Sequence, residues 1–82
     1  MTAKVWIENG TTHIDVRGLG APEPMVAILT LLEQPEQSGP VIVHHDRNPV
    51  YLYPELAERG WGYEISLNEP GNVRLYLTRQ GQ

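Results

Sequence analysis

Cysteine is absent from the 82-residue chain. That absence excludes disulfides, thiolate catalysis, persulfide carriage, cysteine-based zinc sites and thiolate-ligated clusters. Basic residues are scarce, six against ten acidic ones, for a net charge of −4. Such a balance gives no electrostatic footprint for nucleic acid or an anionic membrane surface. Long apolar runs are missing as well. The longest, from Met25 to Leu32 and interrupted by Thr30, falls far short of the roughly 20 residues that cross a bilayer. The opening Met1-Thr2-Ala3-Lys4-Val5-Trp6 lacks the cationic stretch, apolar core and small-residue cleavage site of a leader, so a cytoplasmic location is expected. Catalytic signatures are also wanting. There is no phosphate-binding glycine loop, and the only serines, Ser38 and Ser66, fall in a loop and a strand rather than a nucleophile elbow. The carboxylates form no pair at recognisable spacing. The expectation is a protein that is not an enzyme and needs no cofactor.

What the chain does contain is ordinary globular composition, 40% hydrophobic and 20% charged. Its length predicts one domain over 1–82, burying only about 60% of the surface its unfolded chain exposes. Asn9-Gly10 between Lys4–Glu8 and Thr11–Val16 predicts a hairpin in which Lys4 pairs with Asp15, Val5 with Ile14 and Trp6 with His13. Arg17-Gly18-Leu19-Gly20 turns the chain, and Pro22 suits the first turn of a helix. Met25, Ile28, Leu29 and Leu32 form its apolar stripe, with Leu29 central, and Pro35 ends it. Val41-Ile42-Val43 reads as a strand buried on both faces or nearly so. A second helix, regular over 54–59, stops at Gly60, with Leu52, Leu56 and Tyr53 toward the core. A second hairpin, 62–68 and 72–79, turns at Glu69-Pro70-Gly71, with Tyr63, Ile65, Leu67 and Val73, Leu75, Leu77 facing the helices. The order β(β)αβαββ predicts an α/β (α+β) two-layer sandwich, two helices on one face of a four- to five-stranded mixed sheet.

The stretch Asp15-Val16-Arg17-Gly18-Leu19-Gly20-Ala21-Pro22-Glu23-Pro24-Met25 resembles the start of the TusA/SirA-like family of small sulfur carriers, whose Arg-Gly-Leu turn leads into Cys-Pro-x-Pro. Ala21 stands where that family has its carrier cysteine. Arg47-Asn48-Pro49-Val50-Tyr51-Leu52-Tyr53-Pro54-Glu55-Leu56, followed by Arg59-Gly60-Trp61, is similar to a second motif of an uncharacterised, cysteine-less branch of that fold, a domain of unknown function sometimes fused to hemerythrin-like domains. The likeness covers roughly 12–79 and implies the fold. Sulfur relay does not transfer, because an alanine methyl supplies no thiolate.

A right-handed β-α-β crossover makes strands 12–16 and 41–45 parallel and brings their carboxyl ends to one edge, where such sheets bind ligands. Arg17, Glu23, His45, Asp46 and Arg47, with Tyr51 or Tyr53 as a wall, are the candidate site there for a small ligand or protein partner. The competing reading is an ion-pair network fixing two loops, with Arg17 or Arg47 on Asp46 or Glu23. An anion at the helix start is disfavoured because Pro22 and Pro24 remove N–H donors and Glu23 adds negative charge. For metal, His44 and His45 point to opposite faces, while His13 and His44 can meet on the open face without an evident further ligand. A metal- or redox-linked accessory domain using histidine is therefore the alternative reading. Trp6 either covers its own hairpin or marks a partner or weak homodimer surface.

Overall fold

The computed structural model describes residues 3–80. Its elements run β1 (Lys4–Glu8), β2 (Thr11–Asp15), α1 (Glu23–Leu32), β3 (Val41–His45), α2 (Leu52–Glu58), β4 (Trp61–Glu69) and β5 (Asn72–Arg79). They form the expected α+β sandwich, a five-stranded mixed sheet in the order β1-β2-β3-β5-β4 with two helices on one face.

The first turn is built by backbone chemistry. Asn9 and Gly10 both take positive φ, 54° and 78°. Those angles match the right-handed strand twist and fix the register. Lys4 pairs with Asp15, Val5 with Ile14 and Trp6 with His13, as the residue pattern predicts. Strand β3 then joins β2 in parallel, with Ile14 opposite Val43 and Asp15 opposite His44.

Alternation along the strands divides the sheet into two faces. Ile14, Val41, Val43, Val73, Leu75 and Leu77 enter a core completed by Val16, Ile28, Leu32, Leu52, Leu56 and Trp61. Arg59 ties the helices together, its guanidinium meeting Glu33 at 3.0 Å and Glu55 at 2.9 Å.

Four details differ from the sequence expectation. Ile28, not Leu29, is the fully buried centre of α1, while Leu29 is half-buried. Helix α2 starts at Leu52, because Pro54 falls within its first turn, where no intrahelical N–H is required. Strand β3 is buried on its core face at Val41 and Val43, whereas Ile42 on the other face is only partly covered. The register of β4 shifts between Ile65 and Leu67. Ile65 pairs with Leu75 but Leu67 pairs with Arg74, so the irregularity turns Leu67 to the open face. Tyr63 and Ile65 keep the helix-side face, although their edge position leaves them exposed.

Candidate functional site

Parallel pairing of β2 and β3 brings the loops that follow them together. The Val16 N–H donates to the His44 carbonyl at 2.9 Å, and the Gly18 N–H donates to Asp46 Oδ2 at 3.1 Å. Above these strand ends lies an open cavity of about 250 Å³. Leu19, Ala21, Pro22, Pro24, Met25 and Ile28 form one side, and Pro49, Tyr51 and Leu52 the other. His45 and Arg47 are its polar members.

His45 is the one buried polar residue of the described chain, 3% exposed. It closes β3 on the core face. Its Nδ1 accepts the backbone N–H groups of Asp46 at 2.9 Å and Arg47 at 3.3 Å. Two backbone N–H groups aimed at Nδ1 assign the proton of the neutral ring to Nε2, which leaves Nδ1 facing Asp46 Oδ1 at 3.2 Å with no hydrogen between them. Nε2 has no hydrogen-bond partner among the described residues, and the ring lines the cavity. The site thus offers the His45 ring donor within apolar walls and the Arg47 guanidinium at its rim. Burial lowers the His45 pKa, outweighing the nearby Asp46 carboxylate, which raises it. The Gly18 N–H is the main cause holding Asp46 below its ordinary value.

The sequence-derived candidates do not all gather here. His45 and Arg47 line the cavity, with the Arg47 side chain 70% exposed at its rim. Asp46 stands behind His45, its Oδ1 3.2 Å from Nδ1 and 3.4 Å from Arg47 Nε. Arg17 pairs with neither Asp46 nor Glu23. It turns back to Asp15, with Nε on Oδ1 at 2.9 Å and Nη2 on Oδ2 at 2.8 Å, while its own N–H also donates to Oδ1 at 3.0 Å. A partner two residues away is reached without ordering a second loop, so it takes the arginine. This pairing lowers the Asp15 pKa to about 2. Glu23 is exposed at the helix start and forms no ion pair among the described residues. Tyr53 is no wall of the cavity. It stacks on Tyr63 at a ring separation of 3.8 Å and donates its hydroxyl to Asn48 Oδ1. Tyr51, 84% exposed, is the tyrosine that lines the site.

On the opposite face His13 Nδ1 and His44 Nε2 lie 3.0 Å apart, so the two histidines do meet. No group of three or more metal-ligating side chains exists among the described residues. No helix among them is long and apolar enough to cross a membrane.

Folding lowers the pKa of both His44 and His45 from 6.5, in each case chiefly through burial. The unfolded chain then takes up protons first as the pH falls. Stability present above 6.5 should drop as pH decreases through that value toward the lower folded-state values. A second loss should follow between 3.8 and about 2, as Asp15 loses its pairing with Arg17. Urea melts across this range check both steps. Stability that rises on acidification below 6.5 would contradict the histidine assignment.

The fold and site define a small α+β domain with a largely apolar cavity, its polar members His45 and Arg47, at the carboxyl ends of two parallel strands. Residues 13–79 match the family described as an uncharacterized conserved protein, DUF2249, and the chain belongs to that family. Comparison with curated proteins gives no match, and neither does comparison with solved structures.

Proposed function

We propose that this protein is a non-enzymatic binding module of TusA-like fold, its cavity taking a small, mostly apolar ligand in place of the lost sulfur cargo. The observation that carries this reading is an apolar cavity whose polar members are the buried His45 ring, with its proton assigned to Nε2, and an exposed arginine at the rim. Binding sites of this kind gain affinity from apolar burial and orientation from a few polar groups. The donor suits a carbonyl or carboxylate oxygen, and Arg47 favours a ligand with one negative charge. Ala21 on the cavity wall supports the likeness to sulfur carriers in position and explains the absence of their chemistry.

An NMR screen of short-chain and aromatic carboxylic acids, alongside their uncharged amides, tests this. Shifts should cluster at Leu19, Met25 and Leu52. Ala21→Leu should fill the cavity rim and abolish them, while melting close to the wild type as an exposed site should. Arg47→Ala should weaken the acids more than the amides and lower stability by no more than about 1 kcal/mol, since exposed ion pairs contribute little. Shifts that ignore Ala21→Leu would place the ligand elsewhere. The alternative, a metal- or redox-linked accessory domain, would draw on His13 and His44, and a metal-content measurement on the purified protein tests it.

A further inference from the structure

The sheet face without helices holds a second group of side chains that the cavity does not use. Across its strands one row reads Lys4, Asp15, His44, Arg74 and Leu67, placed side by side by the pairing register. The neighbouring row carries Trp6, His13, Ile42, Tyr76 and Glu64. Directly paired residues share a face, so these side chains all stand together.

Arg74 is the unexplained member. Its Nε is shut off from solvent and has no hydrogen-bond partner. The guanidinium forms no ion pair among the described residues. Of the acids on this face, Asp15 and Glu8 are engaged elsewhere, while Glu64, opposite Tyr76 in the neighbouring row, forms no ion pair among the described residues. Both oxygens of Asp15 are held by Arg17 at 2.8 and 2.9 Å. Glu8 Oε1 accepts the Trp6 indole N–H at 3.2 Å and lies 4.0 Å from His13 Nε2. A buried donor on an ionised group is costly to leave unmade, and such groups commonly mark the place of an ion or ordered water.

The histidines beside it supply a matching donor. His13 Nδ1 and His44 Nε2 meet at 3.0 Å, with ring planes 20° apart and centroids at 5.3 Å. That separation suits two rings joined edge to edge through one shared proton rather than piled face on face. When the His44 ring is protonated its Nδ1 carries a hydrogen whichever ring donates in this contact, and that Nδ1 has no protein partner among the described residues. The Trp6 ring lies near-parallel to both, 5.1 Å from His13 and 5.4 Å from His44, and holds the pair in place. Leu67, turned to this face by the β4 irregularity, flanks Arg74 on the other side. Apolar neighbours lower the local dielectric and strengthen a charge-assisted contact.

We propose that this open face is an oxyanion site centred on Arg74 and His44, taking the phosphate or carboxylate group of a small ligand. It lies on the opposite side of the sheet from the apolar cavity, so the two sites stand or fall separately. Arg74 supplies the charge and fork geometry suited to either oxyanion, and His44 Nδ1–H the second donor. Burial first, then the Arg74 charge and His13, hold His44 below its ordinary pKa. An anion on Arg74 offsets part of that repulsion and adds to the pull of Asp15, so binding should raise the His44 value. The other charges bearing on this group are Lys4 and Glu8 on β1, Arg17 beyond β2, and Glu64 on β4.

The test is a proton–nitrogen NMR titration of the full chain with sodium phosphate, and separately sodium acetate, against sodium chloride at equal ionic strength. The His13 and His44 rings and the Arg74 Nε–H should shift saturably with one or both anions and not with chloride. A response to phosphate alone assigns a tetrahedral ligand group, and a response to acetate a carboxylate. The His44 titration midpoint should rise by about one unit if the protonated ring binds the anion tenfold more tightly. Arg74→Gln should raise the midpoint without any anion and abolish the anion response, whereas Arg74→Lys should keep part of both. Should Arg74→Gln fail to fold, the wild-type midpoint with and without anion still decides the matter. An unmoved His44 midpoint at saturating phosphate and acetate overturns the proposal, as does a response that survives in folded Arg74→Gln.

Discussion

Replacing Ile28 by alanine should cost about 2–5 kcal/mol, the range for removing a large aliphatic side chain from a filled core. Ile28 is 0% exposed and sits between α1 and the sheet. A domain of this size has only about 5–10 kcal/mol to lose, so the variant should approach the limit of folding. Val26 lies on the same helix, 55% exposed, and provides the internal control. Val26→Ala should change stability by no more than about 0.5 kcal/mol, since exposed substitutions seldom do more and alanine is the better helix former. Denaturant melts of the pair separate burial from helix propensity. Equal losses in both would mean that the buried face of α1 is misassigned.

His45→Leu should be the second large loss, about 1–3 kcal/mol, for a different reason. Leucine fills similar space but gives the Asp46 and Arg47 N–H groups nothing to donate to, and unmet donors are expensive away from water. His45→Asn distinguishes the two jobs of the ring. Asparagine Oδ1 can stand in for the accepting Nδ1 and hold the loop, but it brings no donor to the position of Nε2. It should melt well above His45→Leu and yet bind cavity ligands as poorly. If both variants retain full ligand binding, His45 Nε2 has no part in recognition.

Much of this architecture is legible in the residues because local rules and the global fold agree. Asn9-Gly10 demands a turn with two positive φ angles, and that demand alone sets five cross-strand pairs. The crossover rule likewise places His45 and Arg47 beside the Leu19 loop. The cavity itself is not legible. Leu19, Met25, Ile28 and Leu52 have the composition of any core, and only coordinates show that their packing leaves space. Arg17 was ambiguous for a related reason. Several carboxylates lie within reach once the loops converge, and chain entropy selects the one already two residues away. The β4 irregularity carries no turn signature in Glu64-Ile65-Ser66-Leu67, so strict alternation assigns Leu67 to the wrong face.

Strand β1 is the edge of the sheet, held only by β2, and Val5 and Ile7 on it are 49% and 73% exposed. Detaching it would wet little surface that is not already wet. The free energy of such a sub-global opening is therefore small beside that of breaking β3, which lies between two partners. Trp6 travels with β1, and with it goes the ring that covers His13 and His44. Opening of the β1 edge would therefore uncover the histidine pair while the hydrophobic interior stays closed.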